Sequence, residues 1–133
     1  MEDCVFCGIV KENIPRHEIW YEDENHIAFL DIYPCQKGHT LVIPKKHTDN
    51  IIDLSEDEYT DLFKAVHRVS ERLKSSFNST KVSIVVDGYS INHVHVHLIP
   101  TNKEGDLGDF PRYTLADGEL AKTGQELNDF KEV

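Results

Sequence analysis

The chain has 133 residues, 39% hydrophobic and 29% charged, a composition that suits one globular domain with a real core. Its 14 basic and 24 acidic residues leave a formal net charge of −10, which excludes a basic field for nucleic acid or an anionic membrane surface. The three cysteines are an odd number and argue against a disulfide framework. The start Met1-Glu2-Asp3 is no secretory leader and no apolar run reaches bilayer length, so a cytoplasmic location is expected.

Cys4-Val5-Phe6-Cys7-Gly8 opens the chain. Its C-x-x-C spacing lets one turn aim two thiolates at a common point, as in zinc knuckles. With no second C-x-x-C, two histidines are the natural remaining ligands; a redox pair would want a βαβ pattern, which is absent. Ile14-Pro15 marks a turn. Residues 17–21 read as a strand, 22–25 as a hairpin break, 26–32 as a second strand and 39–44 as a third. Ser55-Glu56-Asp57-Glu58 is a capping box. Tyr59, Leu62, Phe63, Val66, Val69 and Leu73 then recur at helical spacing over about residues 56–76. Residues 81–86 give a fourth strand, 87–90 a tight connection and the histidine-rich stretch a fifth strand. A polar loop over 103–111 leads to a weakly periodic helix from Asp117 (Leu120, Leu127, Phe130). Strands in runs, divided by one long helix, favour an α+β fold: an antiparallel sheet with helices on one side.

The stretch from Asn92 to Pro100 carries the chemistry. His93, His95 and His97 alternate with Val94, Val96 and Leu98. On a strand the imidazoles share one face and the apolar residues the other. Histidine serves as nucleophile, proton carrier or metal ligand near neutral pH.

Three ordered blocks resemble a known family. His93-Val94-His95-Val96-His97-Leu98-Ile99 matches the motif of the histidine triad (HIT) superfamily. Asp31-Ile32-Tyr33-Pro34, followed by Gly38-His39-Thr40-Leu41-Val42-Ile43-Pro44-Lys45-Lys46-His47, resembles its second signature block. Cys4-Val5-Phe6-Cys7-Gly8-Ile9-Val10 with Ile14-Pro15 is similar to its zinc-bearing N-terminus. The resemblance implies a HIT-like fold of about five antiparallel strands, one long helix and a short C-terminal helix. It implies a single domain over residues 1–133, with a core over about 4–100 and a loop and helix over 101–133. A homodimer is expected.

The function it implies is hydrolysis or transfer at the α-phosphate of a small, purine-type nucleoside phosphate derivative, a phosphoramidate or dinucleoside polyphosphate. His95 would attack phosphorus and form a nucleotidyl-histidine, and His97 would contact the phosphate or leaving group. Phe6, Ile9, Phe29 and Ile32 would line the base slot, and Asp31 would accept from the ribose hydroxyls. Cys4, Cys7, His47 and His93 would hold a structural zinc. The connection before the triad is shorter than the family's and has no glutamine before His93, and Thr101 stands where an arginine is usual. Asp87 occupies the place of a family asparagine, and Tyr89, Ser90 or Asn92 would supply phosphate contacts. Two other readings stay open: a nucleotide-binding module with little turnover, and a metal-dependent hydrolase using the strand histidines as zinc ligands. His39 reads as structural, His67 as a border residue of the long helix, His17 and His26 as near-surface, and Cys35 as a bystander thiol.

Overall fold

Alternation along the strands gives the sheet two buried faces. In β2 (His26–Leu30) and β3 (Thr40–Pro44), Ile27, Phe29, Leu41 and Ile43 gather in one apolar cluster, while Ala28 and Val42 join another. The computed structural model describes residues 4–13, 19–108 and 110–129. The expected Ile14-Pro15 turn and His17 lie outside these residues, as does Phe130. With β1 (Ile19–Glu22), β4 (Lys81–Val85) and β5 (Val96–Thr101), the strands form one antiparallel sheet in the order β1-β2-β3-β5-β4. Three α-helices complete the α+β architecture: α1 (Val5–Val10), α2 (Glu56–Phe77) and α3 (Glu119–Asp129).

The long helix forms where its signals stand. Ser55 Oγ accepts from the Glu58 N–H at 3.1 Å, and the Ser55 N–H donates to Glu58 Oε1 at 2.9 Å. This satisfies two of the donors a helix start leaves open. Asn78 closes the helix in a left-handed conformation, φ 49°. Leu62, Ala65, Val66, Val69 and Leu73 pack on Ala28, Val42, Val94, Val96 and Leu98. Each large side chain buried there stabilises the fold by roughly 1.5–3 kcal/mol before entropy is counted.

The other face is covered too, contrary to the one-sided expectation. Phe6 and Ile9 of α1 pack against Ile27, Phe29, Leu41 and Ile43. Helix α1 itself replaces the expected turn: Cys4 is its N-cap, with Sγ accepting the Cys7 N–H at 3.4 Å. A sulfur acceptor and a glycine inside six residues give no helical periodicity to detect.

Strand β5 begins at Val96, later than expected. His93, Val94 and His95 run ahead of the ladder, where the Val94 N–H bonds the Thr48 carbonyl at 2.9 Å. The alternation survives, since Val94, Val96 and Leu98 all enter the α2 side of the core. His26 is buried, not near-surface, because Asp23 Oδ1 meets its Nδ1 at 2.9 Å. His67 is exposed and sits 3.5 Å from Glu71, one turn along α2. Gly38, at φ 89°, must be glycine: a Cβ there would lie 2.5 Å from the Phe77 ring. It turns the chain into β3 and so fixes where His39 points.

Candidate functional site

The α1-covered face holds two adjoining constellations. The first is a sulfur and nitrogen cluster. Cys7 Sγ lies 3.2 Å from His47 Nδ1 and 3.5 Å from His93 Nδ1, and Cys4 Sγ lies 3.5 Å from His93 Nδ1. All four ligand atoms fall within 4.8 Å of one another. Metal–ligand bonds of about 2.0–2.3 Å give tetrahedral edges of roughly 3.5 Å, so the cluster fits a metal ion. The outer atoms of the rings agree. His93 Nε2 faces the Pro44 carbonyl oxygen at 2.8 Å, and His47 Nε2 faces Asp49 Oδ1 at 2.6 Å. Each acceptor holds the proton on Nε2 and leaves Nδ1 free to ligate, the usual support for a metal-binding histidine. Burial, helped by the neighbouring Cys4 sulfur, pushes the Cys7 thiol up when no metal is bound; a bound cation reverses that preference.

The second constellation is a run of imidazoles. His95 Nδ1 lies 2.8 Å from the His93 carbonyl oxygen. A carbonyl only accepts, so Nδ1 carries the proton and Nε2 keeps its lone pair. The same reasoning works backwards from Cys35. Its backbone N–H donates to His39 Nδ1 at 3.0 Å, so His39 is protonated on Nε2. That Nε2–H lies 2.9 Å from His97 Nδ1 and donates to it. His97 must then carry its own proton on Nε2. Asp31 Oδ2 stands 3.5 Å from His39 Nε2. Burial holds both His39 and His97 below the ordinary imidazole value; Asp31 opposes this at both rings and Asp87 at His97. Burial thus favours the neutral form of His39 and His97, and leaves His97 with one N–H donor beside His95. The two rings are 5.1 Å apart, centroid to centroid.

The expected base-slot residues divide. Phe6, Ile9 and Phe29 are buried together, and the Phe6 ring stands edge-on to Phe29, His93 and His95 at 5.5, 5.9 and 5.2 Å. Ile32 is 60% exposed, beyond the end of β2. Asp31 lies at that same strand end, its Oδ1 accepting the Tyr33 N–H at 2.9 Å. Asp87 and Asn92 are exposed on the connection before the triad, where Asp87 Oδ1 accepts the Tyr89 N–H at 3.1 Å.

A HIT domain model matches residues 11–104. The chain belongs to the HIT family. It is 40% identical over 135 residues to an uncharacterized HIT-like protein of Methanocaldococcus jannaschii, covering 98% of this chain and 95% of that one. It is 35% identical over 128 residues to the adenosine 5'-monophosphoramidase of Schizosaccharomyces pombe, covering 94% and 96% of the two chains. Among solved structures, a HIT family member of Bacillus subtilis superposes with a TM-score of 0.82 at 29% identity, covering 98% and 99%.

Within this HIT chain, His39 is the site residue that sequence reasoning passed over. The signal was present, because His39 lies in the second signature block, but its partner is 58 positions away. Cys35 is likewise more than a bystander. Its N–H fixes the His39 tautomer, and its Sγ donates to the Asp106 carbonyl at 3.2 Å.

Proposed function

We propose that this HIT protein is a nucleotide hydrolase or nucleotidyltransferase acting at the α-phosphate of a purine nucleoside phosphate derivative, through a covalent intermediate on His95. The observation that carries the reading is the contact between His95 Nδ1 and the His93 carbonyl, which keeps a proton on Nδ1 and makes Nε2 the attacking nitrogen. Nε2 attacks phosphorus. The bond from phosphorus to the leaving nitrogen or oxygen breaks, its electron pair departs with that atom, and the atom takes up a proton. Water then attacks phosphorus, the P–Nε2 bond breaks and its electron pair returns to the ring. Another acceptor in place of water makes the reaction a transfer. Splitting one displacement into two lowers each barrier.

His97 donates its Nε2–H to the phosphoryl oxygens or the leaving atom, where charge develops. His39 is a positioning residue that keeps that proton on the outer nitrogen. Asp31 accepts from the ribose diol; Phe6, Ile9, Phe29 and Ile32 flank the base; Asp87 and Asn92 border the phosphate on the short connection. The adenosine 5'-monophosphoramidases of Schizosaccharomyces pombe and Saccharomyces cerevisiae, 35% and 32% identical, support a phosphoramidate among the substrates. The ion held by Cys4, Cys7, His47 and His93 is zinc, on the chemistry of a Cys2His2 set, and it supplies a closed structural cross-link. The working form is a homodimer, for which the open β4 edge with its exposed Ile84 offers a surface.

One observation favours a second reading, a catalytic metal: Asp31, His39 and His97 also place their ligand atoms within 4.8 Å of one another. The 2.9 Å spacing of His39 and His97 is that of a hydrogen bond and is shorter than the roughly 3.3 Å edge two nitrogen ligands make on a tetrahedral ion. Stereochemistry at phosphorus separates the readings. With a chiral nucleoside phosphorothioate substrate, two successive displacements give net retention. Inversion would show a single displacement by activated water and remove His95 as nucleophile.

A further inference from the structure

The Cys35 N–H that sets His39 lies on an exposed connection between β2 and β3. Exposed connections are mobile unless side chains tie them down, and here the tie comes from 70 positions along the chain. Gln36 Nε2 donates to the Asp106 carbonyl oxygen at 2.8 Å, and Cys35 Sγ donates to the same oxygen at 3.2 Å. One carbonyl thus takes two donors from neighbouring residues, one for each lone pair. The Gln36 amide is the stronger of the two, because a thiol is a weak donor.

The acceptor is itself braced. Asp106 Oδ2 accepts the backbone N–H groups of Asn102 and Lys103 at 2.8 and 3.2 Å, and the Asp106 N–H donates to the Lys103 carbonyl at 3.3 Å. A carboxylate that takes two nearby N–H donors fixes residues 102–106 as a tight turn. That turn starts where β5 ends, at Thr101. The contacts therefore close a ring. Strand β5 presents His97, His97 accepts from His39, His39 accepts from Cys35, and Cys35 and Gln36 are held by the turn that β5 runs into. The His39 N–H tightens the ring further, donating to the Gln36 carbonyl at 3.1 Å.

We propose that Gln36 and Asp106 are positioning residues: the Gln36 side chain, anchored on the Asp106 turn, holds the Cys35 N–H on His39 Nδ1 and so keeps the His97 proton on Nε2. The inference rests on the α-phosphate chemistry at His95 and deepens it. Freed of the Cys35 donor, His39 can carry its proton on Nδ1 instead. His39 Nε2 then becomes an acceptor and draws the His97 proton to Nδ1. His97 Nε2 is left with a lone pair where the developing phosphoryl charge needs a donor.

Three variants of the full chain test the brace. Gln36→Glu keeps the length and loses the N–H donor; Asp106→Ala loosens the turn; Asp106→Asn gives the turn back an acceptor. With adenosine 5'-phosphoramidate, kcat should fall about three- to tenfold in the first two, the worth of one net hydrogen bond, with KM little moved. Asp106→Asn should recover most of that loss. Gln36→Glu combined with Asp106→Ala should be no worse than either alone, because both cut one chain of contacts. Nitrogen NMR of the labelled imidazoles should show His97 protonated on Nε2 in the wild type and in both tautomers in Gln36→Glu, with His95 unmoved. A fall in kcat with the His97 tautomer unchanged, losses that multiply in the double variant, or wild-type kcat in both Gln36→Glu and Asp106→Ala would each overturn the brace. Should the wild type turn over no nucleoside phosphate, the α-phosphate reading fails, and the ring spectra alone uphold or overturn the brace.

Discussion

At the scale of residues, one chain of hydrogen bonds decides what each imidazole can do. The Cys35 N–H sets His39, His39 sets His97, and the His93 carbonyl sets His95. Replacing His39 by Ala removes the donor that fixes His97, so kcat should fall about ten- to a hundredfold with KM little moved. His39→Gln keeps an N–H in that place and should recover part of the loss; equal defects in both variants would deny His39 a positioning role. The same burial makes stability depend on pH. His39 and His97 are held below the ordinary imidazole value by desolvation, against the opposing pull of Asp31 and Asp87. Below about pH 6.5 the unfolded chain binds protons that these buried rings refuse. Their contribution is therefore complete above that pH and is lost as pH falls through it toward the lower folded values. Thermal unfolding across pH 5–7.5 should show Tm falling on the acid side, with a smaller fall in His39→Gln. The alternation of the triad and the C-x-x-C could be read from spacing, while His47 and His93 as partners of the two cysteines came from the resemblance. His39 could not, because the donor that fixes it is a backbone N–H in a turn, which no side-chain pattern encodes.

At the scale of elements, short α1 is the piece most dependent on others. Six residues form no stable helix alone. Phe6 and Ile9 hold it to the sheet, and Cys4 and Cys7 tie its first turn to His47 and His93. If the cluster holds zinc as proposed, removing the ion should release α1. At free zinc a hundredfold above Kd, the ion contributes about 2.7 kcal/mol, or about 10 °C in Tm for a chain of this size. Chelation, and Cys7→Ser, should each lower Tm by that order. An unchanged Tm on chelation, with metal content shown to be lost, would remove the structural role. Helix α2 was legible because its capping box, its 3.6-residue apolar repeat and its acidic first turn agree. Helix α1 was not, since its cap is a cysteine. The start of β5 was misjudged for a similar reason: alternation continues through His93 and His95, while the ladder that defines the strand begins at Val96.

At the scale of the whole molecule, the sheet works as a partition. One face packs Val94, Val96 and Leu98 under α2 and fixes the depth of the triad strand. The other face carries the imidazoles and, beneath α1, the Cys/His cluster that could hold a metal ion. Among the described residues no helix is long and apolar enough to cross a membrane. The net charge of −10 disfavours long polyanions. Sedimentation equilibrium should return a homodimer; a monomer at micromolar concentration would leave the β4 edge unexplained. The fold class could be inferred from the order of strands and helix, but the cover that short α1 gives the second face could not, since its cysteine-capped turn carries no periodicity. The most direct test of the account is to quench the protein with acid-free denaturant during turnover of labelled adenosine 5'-phosphoramidate and to map the label. The account predicts one adenylyl group on His95 and none in His95→Ala, whose turnover falls at least about a thousandfold. Label on another residue, or label that persists in His95→Ala, would contradict it.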